Sequence, residues 1–153
     1  MESLALSDSL RYWVAKKVSS GIGVRVDRSY DIPYLGGYSE DGRTIYLDRR
    51  LPSVLFDGKN WFDPGLFIAV HERVEKAIIA EMGYEQAHAI ATVIEHMMVS
   101  DYGLDPAEYE HAIKPYIKMA AEEPIVRVPR DLDNSPYVND AESLKKISEA
   151  QRL

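Results

Sequence analysis

The segment DPGLFIAVHERVEKAIIAEMGYEQAHAIATVIEHMMVSDYG, residues 63–103, predicts two consecutive helices. Asp63 followed by Pro64 is typical of a helix start, because the carboxylate caps the first turn and proline fits its first position. Gly83 interrupts the apolar pattern and is a natural helix end. Because little more than this glycine separates the two segments, we expect a tight antiparallel helical hairpin.

Charged side chains recur at helical spacing in this hairpin. His71 and Glu75 lie four residues apart, so they share one face of the first helix. His88 and Glu95 share one face of the second helix in the same way. Counted from Gly83, His71 and Glu95 are both twelve residues away and therefore level across the hairpin. We expect these side chains to converge between the helices.

Such a cluster predicts a metal site. Histidine and glutamate that are buried between helices cost several kcal/mol unless they are paired or ligated. A divalent cation removes this cost, and imidazole nitrogen with carboxylate oxygen suits Zn²⁺, with Mn²⁺ or Fe²⁺ as alternatives. The candidate metal ligands are His71, Glu75, His88 and Glu95. Whether His88 or Glu95 supplies the third ligand stays open, because the angle at which the helices cross decides between them.

The segment His71-Glu72-Arg73-Val74-Glu75 resembles the HExxH helix of the zincin metallopeptidases, with glutamate in place of the second histidine. In the gluzincin branch of that family a glutamate ligand comes from a following helix, and Glu95 stands twenty residues after Glu75. The resemblance covers about residues 40–100. It implies a minimal zincin-like fold in which His71 and Glu95 are metal ligands and Glu75 replaces a histidine ligand.

The same resemblance implies a metal-dependent hydrolase that acts on peptide bonds. Glu72 would be the general base that takes a proton from a metal-bound water and passes it to the leaving amine. Tyr84, or His88 where it is not a ligand, would stabilise the oxyanion. The substrate would be a peptide or protein that pairs with TIYLD, residues 44–48, which is similar to the substrate-binding edge strand of that fold.

The glutamate at position 75 changes the expected chemistry. One histidine and two glutamates make a more anionic site than two histidines and one glutamate, so the metal would be a weaker Lewis acid. We expect this either to weaken hydrolysis or to shift the metal preference toward Mn²⁺ or Fe²⁺. With His88 as a ligand instead of Glu95, the set becomes two histidines and one carboxylate, which matches the ligand types of non-haem Fe²⁺ sites.

A motif that departs from its family also supports a second hypothesis. His88 bonded to Glu75 would fill the space between the helices without a metal. The chain would then be a non-catalytic zincin-like or phage-related binding protein. Its His/Glu cluster would be a vestigial metal site or a structural polar seam.

The rest of the chain predicts an α+β fold, mostly helical, with a small antiparallel β-hairpin or sheet packed on the helical hairpin. Valines at 24 and 26 alternate as in a short strand. Asp41-Gly42 is a hairpin-turn signal before TIYLD, which alternates as a half-buried strand does. Ser7 or Asp8 can cap a first helix that stops at Ser19-Ser20-Gly21.

The chain is expected to form one compact domain with a tail. Residues 1–123 predict a single globular domain. Residues 124–153 predict an extended, proline-rich tail with a short, polar terminal helix, which wraps its own domain or binds a protein partner. Residues 51–62 predict a loop that packs on the core or, as the alternative, forms a wall or lid of a cleft.

Composition excludes several classes of protein. The 153-residue chain has a net charge of −7, which disfavours nucleic-acid binding because an acidic surface repels phosphates. It has no cysteine, which excludes disulfides, iron–sulfur clusters and thiolate zinc sites. The longest apolar run, residues 66–70, is too short for a membrane span, and no signal-peptide pattern is visible. We therefore expect a cytoplasmic protein without a membrane partner.

Overall fold

The computed structural model describes residues 6–19 and 23–152. Its helices are α1 (Asp8–Ser19), α2 (Pro64–Met82), α3 (Tyr84–Asp101), α4 (Pro106–Glu122) and α5 (Ala141–Gln151). Its strands are β1 (Arg25–Tyr30), β2 (Gly36–Tyr38), β3 (Thr44–Asp48), β4 (Leu55–Phe56) and β5 (Trp61–Phe62). The predicted α+β, mostly helical class is confirmed. The predicted helix stop at Ser20-Gly21 lies outside the described residues.

The hairpin of α2 and α3 is built on the two helix ends that the sequence predicts. The Asp63 side chain accepts a hydrogen bond from the backbone nitrogen of Gly65 at 2.8 Å, which caps α2. Gly83 has a φ of 82°, a conformation that favours glycine, and separates the helices. The buried Ala87 and Ala91 let α3 approach α2 closely. Among the described helices, none combines the length and apolar content needed to cross a membrane.

Strand β3 occupies the centre of the three-stranded sheet. It pairs antiparallel with β2, as the Asp41-Gly42 turn predicts, and parallel with β1. The expectation that TIYLD is a half-buried edge strand is therefore wrong, because both of its edges are paired and all five of its residues are buried. The parallel partner β1 comes from a separate part of the chain, which the local pattern does not reveal.

Strand β2 is an outer strand of this sheet, and the C-terminal tail, residues 124–152, reaches its far side. The backbone nitrogen of Asp133 donates to the Tyr38 carbonyl at 2.8 Å. The backbone nitrogen of Glu40 donates to the Asp131 carbonyl at the same distance. Among the described residues, these backbone hydrogen bonds to the tail begin at Tyr38. Tyr38 lies two residues after Gly36, which is the first residue of β2.

The C-terminal tail packs on its own domain. The buried carboxylate of Asp31 accepts hydrogen bonds from the backbone nitrogens of Val126 at 2.8 Å and Arg127 at 3.1 Å. An apolar cluster then joins the tail to the sheet; its buried members are Ile32, Tyr46, Val128, Leu132, Tyr137, Ile147 and Ala150. The tail therefore wraps its own domain, while a protein partner for it stays a prediction.

Residues 51–62 contain a short β4–β5 hairpin where the sequence predicts a loop. Phe62 is buried, and its ring centroid lies 6.4 Å from that of Phe67 and 5.8 Å from that of Tyr109. These aromatic contacts anchor the hairpin on α2 and α4. Phe62 therefore packs on the core, which is the first of the two roles predicted for residues 51–62.

Candidate metal centre

The face of α2 that carries the predicted site is buried. His71, Glu72 and Glu75 are 6%, 7% and 2% exposed. The buried apolar residues Ile68 and Ile78 lie before and after them on the same helix, so the polar group interrupts an otherwise apolar surface. Buried charged groups of this kind need partners, and the neighbouring elements supply them.

Three side chains each bring one metal-binding atom to a common point. Nε2 of His71 lies 3.2 Å from Oε2 of Glu75 and 3.2 Å from Nδ1 of His88. Nδ1 of His88 lies 3.2 Å from the same glutamate oxygen. The three atoms form a triangle with equal sides, and this His71–Glu75–His88 triangle can hold a metal ion.

The size of the triangle fits a small divalent ion. Tetrahedral zinc with bonds of about 2.0–2.1 Å to nitrogen and oxygen places neighbouring ligand atoms roughly 3.3–3.4 Å apart. The observed separation of 3.2 Å is close to that edge. The side chain of His88 is 48% exposed, so the triangle is accessible from that side. An accessible position is what a catalytic zinc site needs for water or substrate.

Glu95 contacts the opposite edge of the His71 ring. Its Oε1 lies 2.8 Å from Nδ1 of His71, and its Oε2 accepts a hydrogen bond from the Tyr109 hydroxyl at 2.5 Å. A carboxylate in this position fixes the histidine tautomer and leaves Nε2 free to bind a metal. The structure thus places His88 in the triangle and Glu95 behind His71.

Glu75 is held in place from the sheet. The buried hydroxyl of Tyr38, in β2, donates to its Oε1 at 2.9 Å, while its Oε2 faces the two histidines. Burial raises the pKa of Glu75, but hydrogen bonds with His71, His88 and Tyr38 outweigh burial and lower it. The carboxyl group is therefore ionised, which is the form that binds a metal.

Glu72 lies where α2 meets the start of β2. A Cβ atom built on Gly36 would lie 2.9 Å from Oε1 of Glu72 and 2.8 Å from Cγ2 of Ile68, so glycine leaves the room that this contact needs. Burial, followed by repulsion from Glu75, raises the pKa of Glu72. A carboxyl group in such surroundings is suited to accept and return a proton near neutral pH.

Tyr84, the predicted oxyanion donor, stacks on His88. The ring centroids are 5.3 Å apart with an angle of 28° between the planes, and the Tyr84 hydroxyl lies 3.4 Å from Nδ1 of His88. Burial and the charge of Glu75 raise the pKa of Tyr84, so its hydroxyl stays protonated. The structure therefore brings Tyr84 next to the triangle as a neutral hydrogen-bond donor.

The triangle faces a cavity of about 480 Å³. Its apolar wall consists of Leu35, Ile68, Ile113 and Ile117, and Glu72, Tyr84 and Glu110 also line it. Among the described residues that line the cavity there is no lysine or arginine, and none belongs to 51–62. A cavity of this size and apolar character accommodates a short stretch of peptide or a small organic ligand.

Two tyrosines of the site were not predicted from the sequence. Tyr38 comes from β2 and Tyr109 from α4, and each donates to a glutamate on the helical hairpin. Buried tyrosines are ordinarily packing residues, so nothing in the local sequence marks Tyr38 or Tyr109 as part of a site. The helical spacing of α4, which places Tyr109 on the same apolar face as Ile113, was the available signal that it points inward.

Comparisons of the chain with protein-family models, with curated proteins and with solved structures found no match. They therefore identify no family for the chain. The zincin resemblance of residues 71–75 stays a prediction.

Proposed function

We propose that His71, Glu75 and His88 bind a divalent metal ion, with Zn²⁺ as the first choice, and that the chain is a metal-dependent hydrolase acting on peptide bonds. The observation that carries this proposal is the triangle of atoms 3.2 Å apart at the wall of an accessible cavity. Two imidazole nitrogens and one carboxylate oxygen are a ligand set found in catalytic zinc sites.

The hydrogen bonds that hold the proposed ligands favour a metal site over a chance proximity of the three side chains. Glu95 orients the His71 ring, and Tyr109 in turn holds Glu95. Tyr38 holds Glu75 from the sheet. Outer hydrogen bonds of this kind orient metal ligands and tune their basicity. Each of the two most buried members of the triangle therefore has a partner that fixes its orientation.

Glu72 is the general base in this proposal. A metal ion in the triangle would supply the positive charge that polarises a water molecule and the scissile carbonyl. Glu72 lines the same cavity as the triangle, so its carboxylate can accept a proton there and return it to the leaving amine. Tyr84, beside His88, is placed to donate a hydrogen bond to the developing oxyanion.

The outer strand β2 offers a place for a peptide substrate. The Tyr38 carbonyl points away from β3, because it accepts from the backbone nitrogen of Asp133. Gly36, two residues earlier, points its peptide groups the same way by strand alternation, and it lines the cavity. A substrate backbone could therefore pair with Gly36 beside Glu72. In this proposal β2 takes the substrate-binding role that the zincin resemblance implies for β3.

A second candidate function is a non-catalytic binding protein whose cluster is a polar seam. The two ring nitrogens of His71 both face carboxylate oxygens, of Glu75 and of Glu95, without a metal. Burial lowers the pKa of His71, but these two contacts outweigh it and raise the pKa to about 10. A protonated His71 can thus pair with both carboxylates of the polar seam without a metal. A metal that binds His71 has to displace its proton.

The test combines zinc binding with peptide cleavage. The full chain is stripped with a chelator, reloaded with one equivalent of zinc, and incubated with a mixed peptide library that is read by mass spectrometry. We expect cleavage only after reloading, and Glu72→Gln should lower it about 100- to 10,000-fold while binding zinc as the parent protein does. Glu85→Gln, an exposed glutamate in the first turn of α3, is the matched control and should cleave normally.

The possible results separate the two candidates. No zinc binding by the parent protein would reject the metal site and favour the polar seam. Zinc binding without cleavage of any peptide would favour the non-catalytic binding protein with a metal site. Cleavage that persists unchanged in Glu72→Gln would reject Glu72 as the general base.

A further inference from the structure

Tyr137, in the C-terminal tail, has a buried hydroxyl that no hydrogen bond satisfies. The residue is 1% exposed and lies in a short 3₁₀ turn, Ser135–Tyr137. Within residues 6–19 and 23–152, its hydroxyl oxygen and Nη1 of Arg28 are the buried side-chain polar atoms that lack a partner. Buried hydroxyl groups nearly always have a partner, so this one needs an explanation.

The position of this hydroxyl relates it to the candidate site. Tyr137 lines the same cavity as Glu72 and the His71–Glu75–His88 triangle. A Cβ atom built on Gly37 would lie 3.3 Å from the Tyr137 hydroxyl oxygen, just as one built on Gly36 would lie 2.9 Å from Oε1 of Glu72. Two successive glycines of β2 therefore leave room for Glu72 on one side of the strand and for the Tyr137 hydroxyl on the other.

The wall next to Tyr137 is held in an unfavourable backbone conformation. Tyr34 and Leu35 have φ values of 61° and 73°, which residues other than glycine rarely adopt. The half-exposed ring of Tyr34 stacks on Tyr137 with the centroids 6.0 Å apart, and its hydroxyl donates to Asp140 just before α5. Strained conformations of this kind are concentrated at ligand clamps and active sites.

The chemistry of Tyr137 indicates what kind of partner is missing. Burial, followed by the charges of Glu72 and Glu75, raises the pKa of Tyr137 well above its ordinary value, so the phenol keeps its proton. The described residues that line this cavity include no lysine or arginine. A neutral phenol in such a wall can donate a hydrogen bond to an oxygen atom of a ligand. A carbonyl oxygen, or the more negative oxygen of a tetrahedral intermediate, meets that requirement.

We propose that the Tyr137 hydroxyl donates a hydrogen bond to a carbonyl or oxyanion oxygen of the ligand bound at the triangle, once the Tyr34 ring turns aside. This inference rests on the proposed function, because it takes that ligand to be the substrate. The C-terminal tail is then part of the site as well as a support for the fold, and Tyr137 is a substrate-binding residue on an element that the zincin-like motif does not include.

The experiment measures ligand binding separately from metal binding and uses acetohydroxamate, a small metal chelator with a carbonyl oxygen, as the probe. The full-length parent protein and Tyr137→Phe are loaded with Co²⁺ or Zn²⁺, and binding is followed by the Co²⁺ visible spectrum and by calorimetry. We expect equal metal affinity and an unchanged or higher melting temperature for Tyr137→Phe, but acetohydroxamate binding weaker by about 10- to 100-fold. Tyr102→Phe, an exposed tyrosine at the end of α3, is the matched control and should bind as the parent protein does.

The other outcomes overturn the inference in distinguishable ways. Equal acetohydroxamate binding by the parent protein and Tyr137→Phe, with metal bound, would overturn the role of Tyr137 alone. Loss of metal or of the fold in Tyr137→Phe would show that the hydroxyl is structural and would overturn the role as well. Failure of the parent protein to bind metal would overturn both this inference and the proposed function.

Discussion

Nδ1 of His71 lies 2.8 Å from Oε1 of Glu95, while Nε2 of the same ring faces Glu75 and His88. The two nitrogens of one buried ring therefore have different partners. Because the Tyr109 hydroxyl holds the other oxygen of Glu95 at 2.5 Å, rotation of the ring would break a supported contact. We propose that Glu95 orients a metal ligand and that His88 is one. This proposal chooses between the two candidates for the third ligand that the sequence left open.

Zinc affinity should distinguish these two roles. We expect Glu95→Gln to weaken zinc binding about 10- to 100-fold, because loss of an orienting carboxylate typically costs that much. Glu75→Gln should weaken it considerably more, since it removes the negative charge of a ligand. Competition with a chromophoric chelator measures both affinities. Equal losses in the two variants would mean that Glu95 itself binds the metal.

Zinc should stabilise the folded chain through His88. At a free zinc concentration about 100-fold above the dissociation constant, the expected gain is about 2.7 kcal/mol. For a chain of this size that gain corresponds to a rise of roughly 5–10 °C in the melting temperature. His88→Ala should lose most of the rise, because the half-exposed His88 contributes to the triangle more than to the core.

The matched control for this measurement is His111→Ala, which removes an exposed histidine of α4. It should keep the full zinc-dependent rise in melting temperature. A full rise in His88→Ala as well would exclude His88 as a ligand and return Glu95 to consideration. Differential scanning fluorimetry with and without zinc is sufficient to decide.

Local sequence signals predicted the helical hairpin well. The helix start at Asp63, the stop at Gly83 and the four-residue spacing of His71 and Glu75 are properties of neighbouring residues, and the structure contains each of them. The helical spacing also predicted that His88 would come near Glu75. Counting residues along two helices could not decide between His88 and Glu95, because that choice depends on how the helices rotate against each other.

Contacts between distant segments could not be predicted in the same way. The central place of β3 depends on its pairing with β1, and the orientation of Glu75 depends on a hydroxyl from Tyr38. Tyr137 lines the cavity only because the tail folds back on the sheet. In each case the partner is chosen by tertiary packing, which leaves no periodic pattern in the sequence.

Gly36 should be essential for the position of Glu72. In Gly36→Ala the added Cβ would lie 2.8 Å from Cγ2 of Ile68 and 2.9 Å from Oε1 of Glu72, so α2 and β2 have to move apart. We expect a loss of about 1–3 kcal/mol in the free energy of unfolding and a strong loss of any peptidase activity, with zinc binding retained. Chemical denaturation, the cleavage assay and zinc titration measure these three quantities.

Gly23→Ala is the control for this substitution, because a Cβ atom at position 23 meets nothing within 4 Å. It should leave stability and zinc binding as they are. Full stability and activity in Gly36→Ala would show that the strand and helix can adjust without displacing Glu72. Loss of zinc binding in Gly36→Ala would mean that the triangle depends on the same contact.

The attachment of the C-terminal tail should depend on pH through Asp31. Burial raises the pKa of Asp31, but hydrogen bonds from the backbone of Val126 and Arg127 and from Arg49 outweigh burial and lower it below 3.8. A carboxyl group whose pKa is lower in the folded state stabilises the fold at pH values above its unfolded pKa. This contribution is then lost as the pH falls through the folded value.

Asp31→Asn should therefore destabilise the metal-free protein by about 1–3 kcal/mol at pH 7, since the amide cannot satisfy the same donors. The difference from the parent protein should shrink as the pH falls below about 4, because the parent carboxyl group becomes protonated first in the unfolded state and, at lower pH, in the folded state. Urea unfolding across this range measures the difference, with the exposed Asp101→Asn as the control. A difference that stays constant down to pH 2 would mean that the charge of Asp31 does not hold the tail.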